Sequence, residues 1–125
     1  KAYTKIIGLN VGGASRAFPL DALARVRVIN EALGGQPILV VHQSKSETTT
    51  AFVARANGMR LTFEEANAGA TALIDRETRS RWDAYRNCTS GKLKGAQLDM
   101  LILQPEYWFA GAEFRPKTTI FEPPR

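Results

Sequence analysis

Apolar and polar positions alternate along much of this chain, and the places where alternation fails mark its organisation. Ile38 to Val41 is an unbroken apolar run of strand length, set between Gly34-Gly35 and the polar stretch His42 to Glu47. Such a run is the pattern of a strand covered on both faces. Upstream, Thr4 to Val11 is rich in β-branched residues and gives way at Gly12-Gly13. Ser15 to Leu20 is expected to be extended, because Phe18 precedes Pro19 and is pushed away from helical angles. The two segments predict an opening hairpin around Gly12-Gly13. Asp21 is placed to cap a short helix through Leu23 to Arg25. Val26 to Asn30 alternates well enough to be a strand instead.

After the polar connection at residues 42–47, Thr48 to Arg55 reads as the returning strand. Asn57-Gly58 is the strongest turn signal in the chain, since both residues tolerate positive φ. A two-residue turn there sets Ala56 opposite Met59, Ala54 opposite Leu61 and Phe52 opposite Phe63, with all six on one face. The other face pairs Val53 with Thr62 and Arg55 with Arg60, two like charges that Glu64 and Glu65 are close enough to compensate.

Glu64 to Gly69 reads as a loop or short helical turn, Ala70 to Asp75 as a strand, and Arg76 to Trp82 as a charged connection. Asp83 to Cys88 fits a strand or one helical turn, and Gly91 to Gly95 an exposed turn. Gln97 to Leu103 predicts a strand with Leu98, Met100 and Ile102 on one face. Pro105 suits the first position of a helix with Glu106 in its first turn, ending before Pro116. Thr118 to Glu122 is a last strand. The expected fold is a single β-rich α+β domain over residues 1–125: antiparallel strands and hairpins, short helices, and one helix near the C-terminus.

Composition narrows the function classes. The chain has 125 residues, enough for one domain with its own core. Beginning at Lys1 is expected of a processed or partial chain, and no apolar run reaches membrane-spanning length. A net charge of +5 favours acidic partners or an anionic surface. The cations are scattered, without interleaved aromatics, so nucleic acid is not an expected partner; a protein partner is, and peripheral membrane association stays open.

One histidine and one cysteine are too few for a closed metal site within the chain. No cofactor is expected; His42 would ligate a metal or haem only with ligands from another chain. Ser44 and Ser46 lie near His42 without the G-x-S-x-G elbow of a hydrolase. Cys88 follows Arg86, which could lower its pKa, though a semi-buried inert thiol is the alternative. Arg55 and Arg60 could hold an anion. The glycine pairs make no phosphate loop.

Several pieces, in order, resemble one family. Gly13-Ala14-Ser15-Arg16-Ala17-Phe18-Pro19-Leu20 is similar to the G-x-x-R-A-Y-P-L opening of the family called domain of unknown function 3179, and Val28 to Ile38 to its V-V-N-D-x-L-G-G-x-P-V. Thr50-Ala51-Phe52 falls at a strand ending in Ala-Phe. Asp75 to Trp82 resembles D-R-x-T-x-S-x-W, and Trp108 with Pro116-Lys117-Thr118 resembles the closing W…P-x-T. In the family the strand matching Pro37–His42 runs into T-Y-C-P-L-C-x-T-A; here Gln43 and Ser46 stand at the two cysteine positions and His42 at the aromatic. The resemblance therefore implies a scaffold kept and a thiol site lost. Its members look exported, which implies an extracytoplasmic location. The expectation is a non-catalytic accessory or structural domain that binds a partner protein, using His42, Gln43, Ser44, Ser46, Arg55 and Arg60. The alternatives are a redox or metal-handling role through His42 and an anion- or small-ligand-binding module.

Overall fold

The computed structural model describes residues 3–109 and 118–124. The opening strands form where the β-branched patterns predict them. β1 (Tyr3–Val11) turns at Gly12-Gly13 into β2 (Ala14–Pro19), in register from Val11–Ala14 to Ile6–Pro19. Pro19 stops the strand and α1 (Leu20–Val26) begins directly after it. Asp21 is not the cap: Pro19 occupies that position without a side-chain bond, and Asp21 sits in the first turn, where a carboxylate favours the helix dipole. Arg27, at φ 69°, ends the helix.

The ambiguous stretch after α1 resolves as β3 (Val28–Leu33), which turns at Gly34-Gly35 into β4 (Gln36–Gln43). β5 (Thr48–Val53) returns antiparallel to β4, pairing Gln43 with Thr48 and His42 with Thr49. β6 (Arg55–Ala56) and β7 (Met59–Arg60) flank the Asn57-Gly58 turn in the expected register, and the Leu61 N–H donates to the Ala54 carbonyl at 2.9 Å. Beyond that the hairpin parts: Phe52 pairs with Leu39, while Phe63 begins β8 (Phe63–Glu65) and pairs with Asp75. All six apolar residues nonetheless pack with one core, Met59 from its margin. Face was readable from alternation; pairing was not, because other strands compete for the same edges.

β9 (Ala72–Asp75), β10 (Arg81–Asp83) and β11 (Cys88–Ser90) complete a sheet in the order β11-β10-β9-β8. β12 (Asp99–Leu101) joins the edge of a sheet ordered β12-β5-β4-β3. The expected apolar face of residues 98–102 does not form: Leu98 is buried, but Met100 is 56% and Ile102 83% exposed, while Leu101 and Leu103 pack inward. The chain is here crossing between sheets, so no single face persists.

A helix from Pro105 is also corrected. Residues 103–109 form β13 (Leu103–Phe109), paired antiparallel with β1; the remainder of the expected helix lies outside the described residues. β13 is the edge of the sheet β13-β1-β2-β14, where a proline without an N–H is tolerated. β14 (Thr118–Ile120) closes the opposite edge, parallel to β2.

The sheet holding β4 and β5 is the middle layer. Ile38, Val40 and Ala51 pack with Leu9, Phe18 and Leu23 on one side, whereas Leu39, Val41 and Phe52 pack with Phe63, Leu73 and Trp82 on the other. This double burial is why residues 38–41 carry no polar alternation. Polar side chains tie the layers together. Asn30 on β3 exchanges two hydrogen bonds with the Phe63 backbone, at 2.8 and 2.9 Å. Arg16 on β2 forms a two-pronged pair with Glu31 on β3. The Asp75 carboxyl, fully buried, accepts from the Trp82 indole N–H at 2.8 Å and from the Thr78 N–H and hydroxyl.

Candidate functional site

The polar end of β4 is where an otherwise apolar strand acquires chemistry. His42 is only 3% exposed, and its backbone N–H donates to the Arg27 carbonyl at 2.8 Å, which pins the strand end beneath α1. Its Nδ1 lies 2.9 Å from the Thr49 hydroxyl directly across the hairpin. The Nε2 makes no hydrogen bond among the described residues. Burial pushes the imidazole pKa below its ordinary 6.5, and the nearby Glu47 carboxylate, which raises it, does not compensate. The ring is therefore neutral at pH 7.

His42 stands in the wall of a groove of about 910 Å³. Its lining mixes apolar residues, Ile7, Leu20, Ala24, Leu103 and Pro105, with polar ones, Lys5, Asp21, Ser44, Glu47 and Thr49. β1, α1, the β4–β5 hairpin with its connection, and β13 all contribute residues to it. Glu47 takes a left-handed conformation, φ 54°, at the end of that connection.

The candidates proposed from sequence separate. His42 and Ser44 share the groove. Gln43 belongs to the opposite face of β4 by strand alternation; it is 6% exposed, and its Nε2 is buried without a hydrogen-bond partner. Ser46 is exposed in the turn, where its carbonyl accepts from the Thr48 hydroxyl. No hydrogen bond joins Ser44 or Ser46 to His42 among the described residues. Arg55 and Arg60 do sit opposite each other, but at the far end of β5 from His42. The carboxylates expected to compensate them are engaged elsewhere: Glu64 with Arg76 and Arg79, Glu65 with Arg27.

Cys88 is buried and its thiol pKa is raised, chiefly by that burial; Arg86 is turned away, donating instead to the Leu98 carbonyl at 2.9 Å. It is an inert core thiol. Among the described residues no three His, Cys, Asp or Glu side chains gather as metal ligands. Lys5, Asp21, Glu47 and Thr49 were not singled out from sequence. Thr49 follows from the register of a four-residue connection, but the approach of α1 and β1 to that hairpin is tertiary and leaves no local signal.

Away from the groove, the pieces that carry the family resemblance make framework contacts: Arg16 bound to Glu31, Asn30 to Phe63, and Asp75 to Thr78 and Trp82. A family model described as "Protein of unknown function (DUF3179)" matches residues 1–118. The chain belongs to the DUF3179 family. No curated protein and no solved structure matches it. Within this DUF3179 chain those contacts belong to the framework, whereas the groove draws Leu20 from the opening piece and His42, Ser44, Glu47 and Thr49 from the β4–β5 hairpin. No helix among the described residues is long and apolar enough to cross a membrane.

Proposed function

We propose that this DUF3179 protein is a non-catalytic, extracytoplasmic accessory domain, and that the groove beside His42 is where it receives a segment of a partner protein. The observation that carries this reading is the groove itself. Its size suits a short extended segment, and its lining combines apolar residues with a few polar and charged ones, the usual composition of a recognition site. Catalysis is not favoured, because Ser44 and Ser46 lack the bond to a base that activates a nucleophile, and the neutral His42 has Thr49 rather than a carboxylate on its Nδ1. The exported character implied by the family resemblance supports the location.

A photo-crosslinking amino acid at Ala24, an exposed position on the groove rim, should link the protein to one discrete partner in its native host. The same probe at Arg60 should not. Crosslinks from Arg60 alone, or equally from both, would move the docking surface away from the groove.

One observation favours a second reading. A neutral histidine with an unbonded Nε2 is the form that ligates metal or haem. The remaining ligands would have to come from another chain. Stoichiometric metal or a Soret band in protein from its native source, lost in His42→Ala, would establish it.

A further inference from the structure

The charge of the groove runs against the charge of the molecule. The chain carries +5, and on that ground alone would be expected to attract acidic partners. Among the described lining residues, however, Lys5 is the single cation against two carboxylates, Asp21 and Glu47, with His42 adding none at neutral pH. Those carboxylates come from different elements, Asp21 from the first turn of α1 and Glu47 from the end of the β4–β5 connection. The same groove is lined by a side chain that is almost wholly buried, His42, whose Nε2 makes no hydrogen bond among the described residues. When Nδ1–H donates to Thr49, that Nε2 is an acceptor. Two carboxylates and one acceptor nitrogen match the donors of an ammonium or guanidinium group and repel a carboxylate or phosphate. Ile7, Leu20, Ala24, Leu103 and Pro105 line the same groove and suit the apolar stem of such a side chain and its neighbours.

Resting on the reading of the groove as a partner site, we propose that the segment it receives is an extended peptide presenting a lysine or arginine side chain to Asp21, Glu47 and His42, flanked by apolar residues. Recognition is by charge complementarity to the carboxylates and burial of the aliphatic stem against the apolar lining. Neither requires a metal, and neither uses the scattered surface cations.

The test is a titration of the folded protein with acetyl-Leu-Lys-Leu-amide, acetyl-Leu-Gln-Leu-amide, acetyl-Leu-Glu-Leu-amide and n-butylamine, followed by the ring resonances of the single histidine. The lysine peptide should shift them saturably, the glutamate peptide should not, and butylamine should bind more weakly for want of the apolar flanks. The double variant Asp21→Asn, Glu47→Gln, its fold checked by circular dichroism, should weaken the lysine peptide about tenfold, as two exposed charge pairs are lost. Equal or tighter binding of the glutamate peptide would overturn the proposal, as would lysine-peptide binding indifferent to the double variant or matched by butylamine. Silence from every peptide, with the Ala24 crosslink intact, would overturn the basic-side-chain assignment and leave the groove as the docking site. Silence together with loss of that crosslink would remove both.

Discussion

At the scale of single residues, burial and Glu47 act on His42 in opposite directions, and burial prevails. The consequence for stability has a definite sign. Unfolded, the ring takes a proton near its ordinary 6.5; folded, it does so only at lower pH. Between those two values the unfolded state holds more protons, so stability should fall as pH drops from about 6.5 through the folded pKa. Urea unfolding at a series of pH values should show that slope, and His42→Asn should lose it. The neighbouring Gln43 carries a buried Nε2 with no partner, a desolvation cost that an apolar side chain of similar length avoids. Gln43→Met should therefore raise unfolding free energy by about 1 kcal/mol in denaturant titrations. Asp75 is the opposite case. Its carboxyl satisfies the Trp82 indole N–H and the Thr78 N–H inside the core, so Asp75→Ala should cost about 3 kcal/mol or more, read as a lowered urea midpoint at unchanged slope.

Elements were legible where their signal was local. The Gly12-Gly13 hairpin, the apolar β4 and the Asn57-Gly58 turn all formed as their residues indicate, because each depends on φ preference or on alternation over a few positions. The pairing of Phe52 with Phe63 and the face of residues 98–102 failed for a shared reason: both segments leave one sheet for another, and nothing local records which edge they meet. Residues 105–109 have a helix-start pattern but lie against β1, whose free edge offers more than a short isolated helix can. Contact between the two glycine turns was likewise unreadable. At φ +56° and +58°, Gly12 and Gly34 press together so closely that a Cβ on Gly12 would come within 2.5 Å of the Gly34 carbonyl oxygen, and one on Gly34 would overlap that of Val11. Gly34→Ala should destabilise by about 2 kcal/mol or more, visible as a fall in melting temperature, through steric overlap and left-handed strain together.

At the scale of the molecule, three layers of sheet put β4 at the centre and leave its polar end at a groove rim. The candidate site was half-legible: His42 and Ser44 are there, whereas the lining residues of α1 and β1 arrive only through packing. The two positions that the resemblance matches to cysteines part here, Gln43 buried and Ser46 exposed at the turn. The central claim is that the groove at His42 is the recognition surface. It has an unusually direct probe, because the chain contains one histidine and its ring needs no assignment. Nitrogen-15 NMR of the imidazole, with and without the partner captured through Ala24, should show a neutral ring at pH 7 whose Nε2 signal moves on binding while Nδ1, held by Thr49, moves less. A ring already protonated at pH 7, or one that the bound partner leaves untouched, would contradict the account.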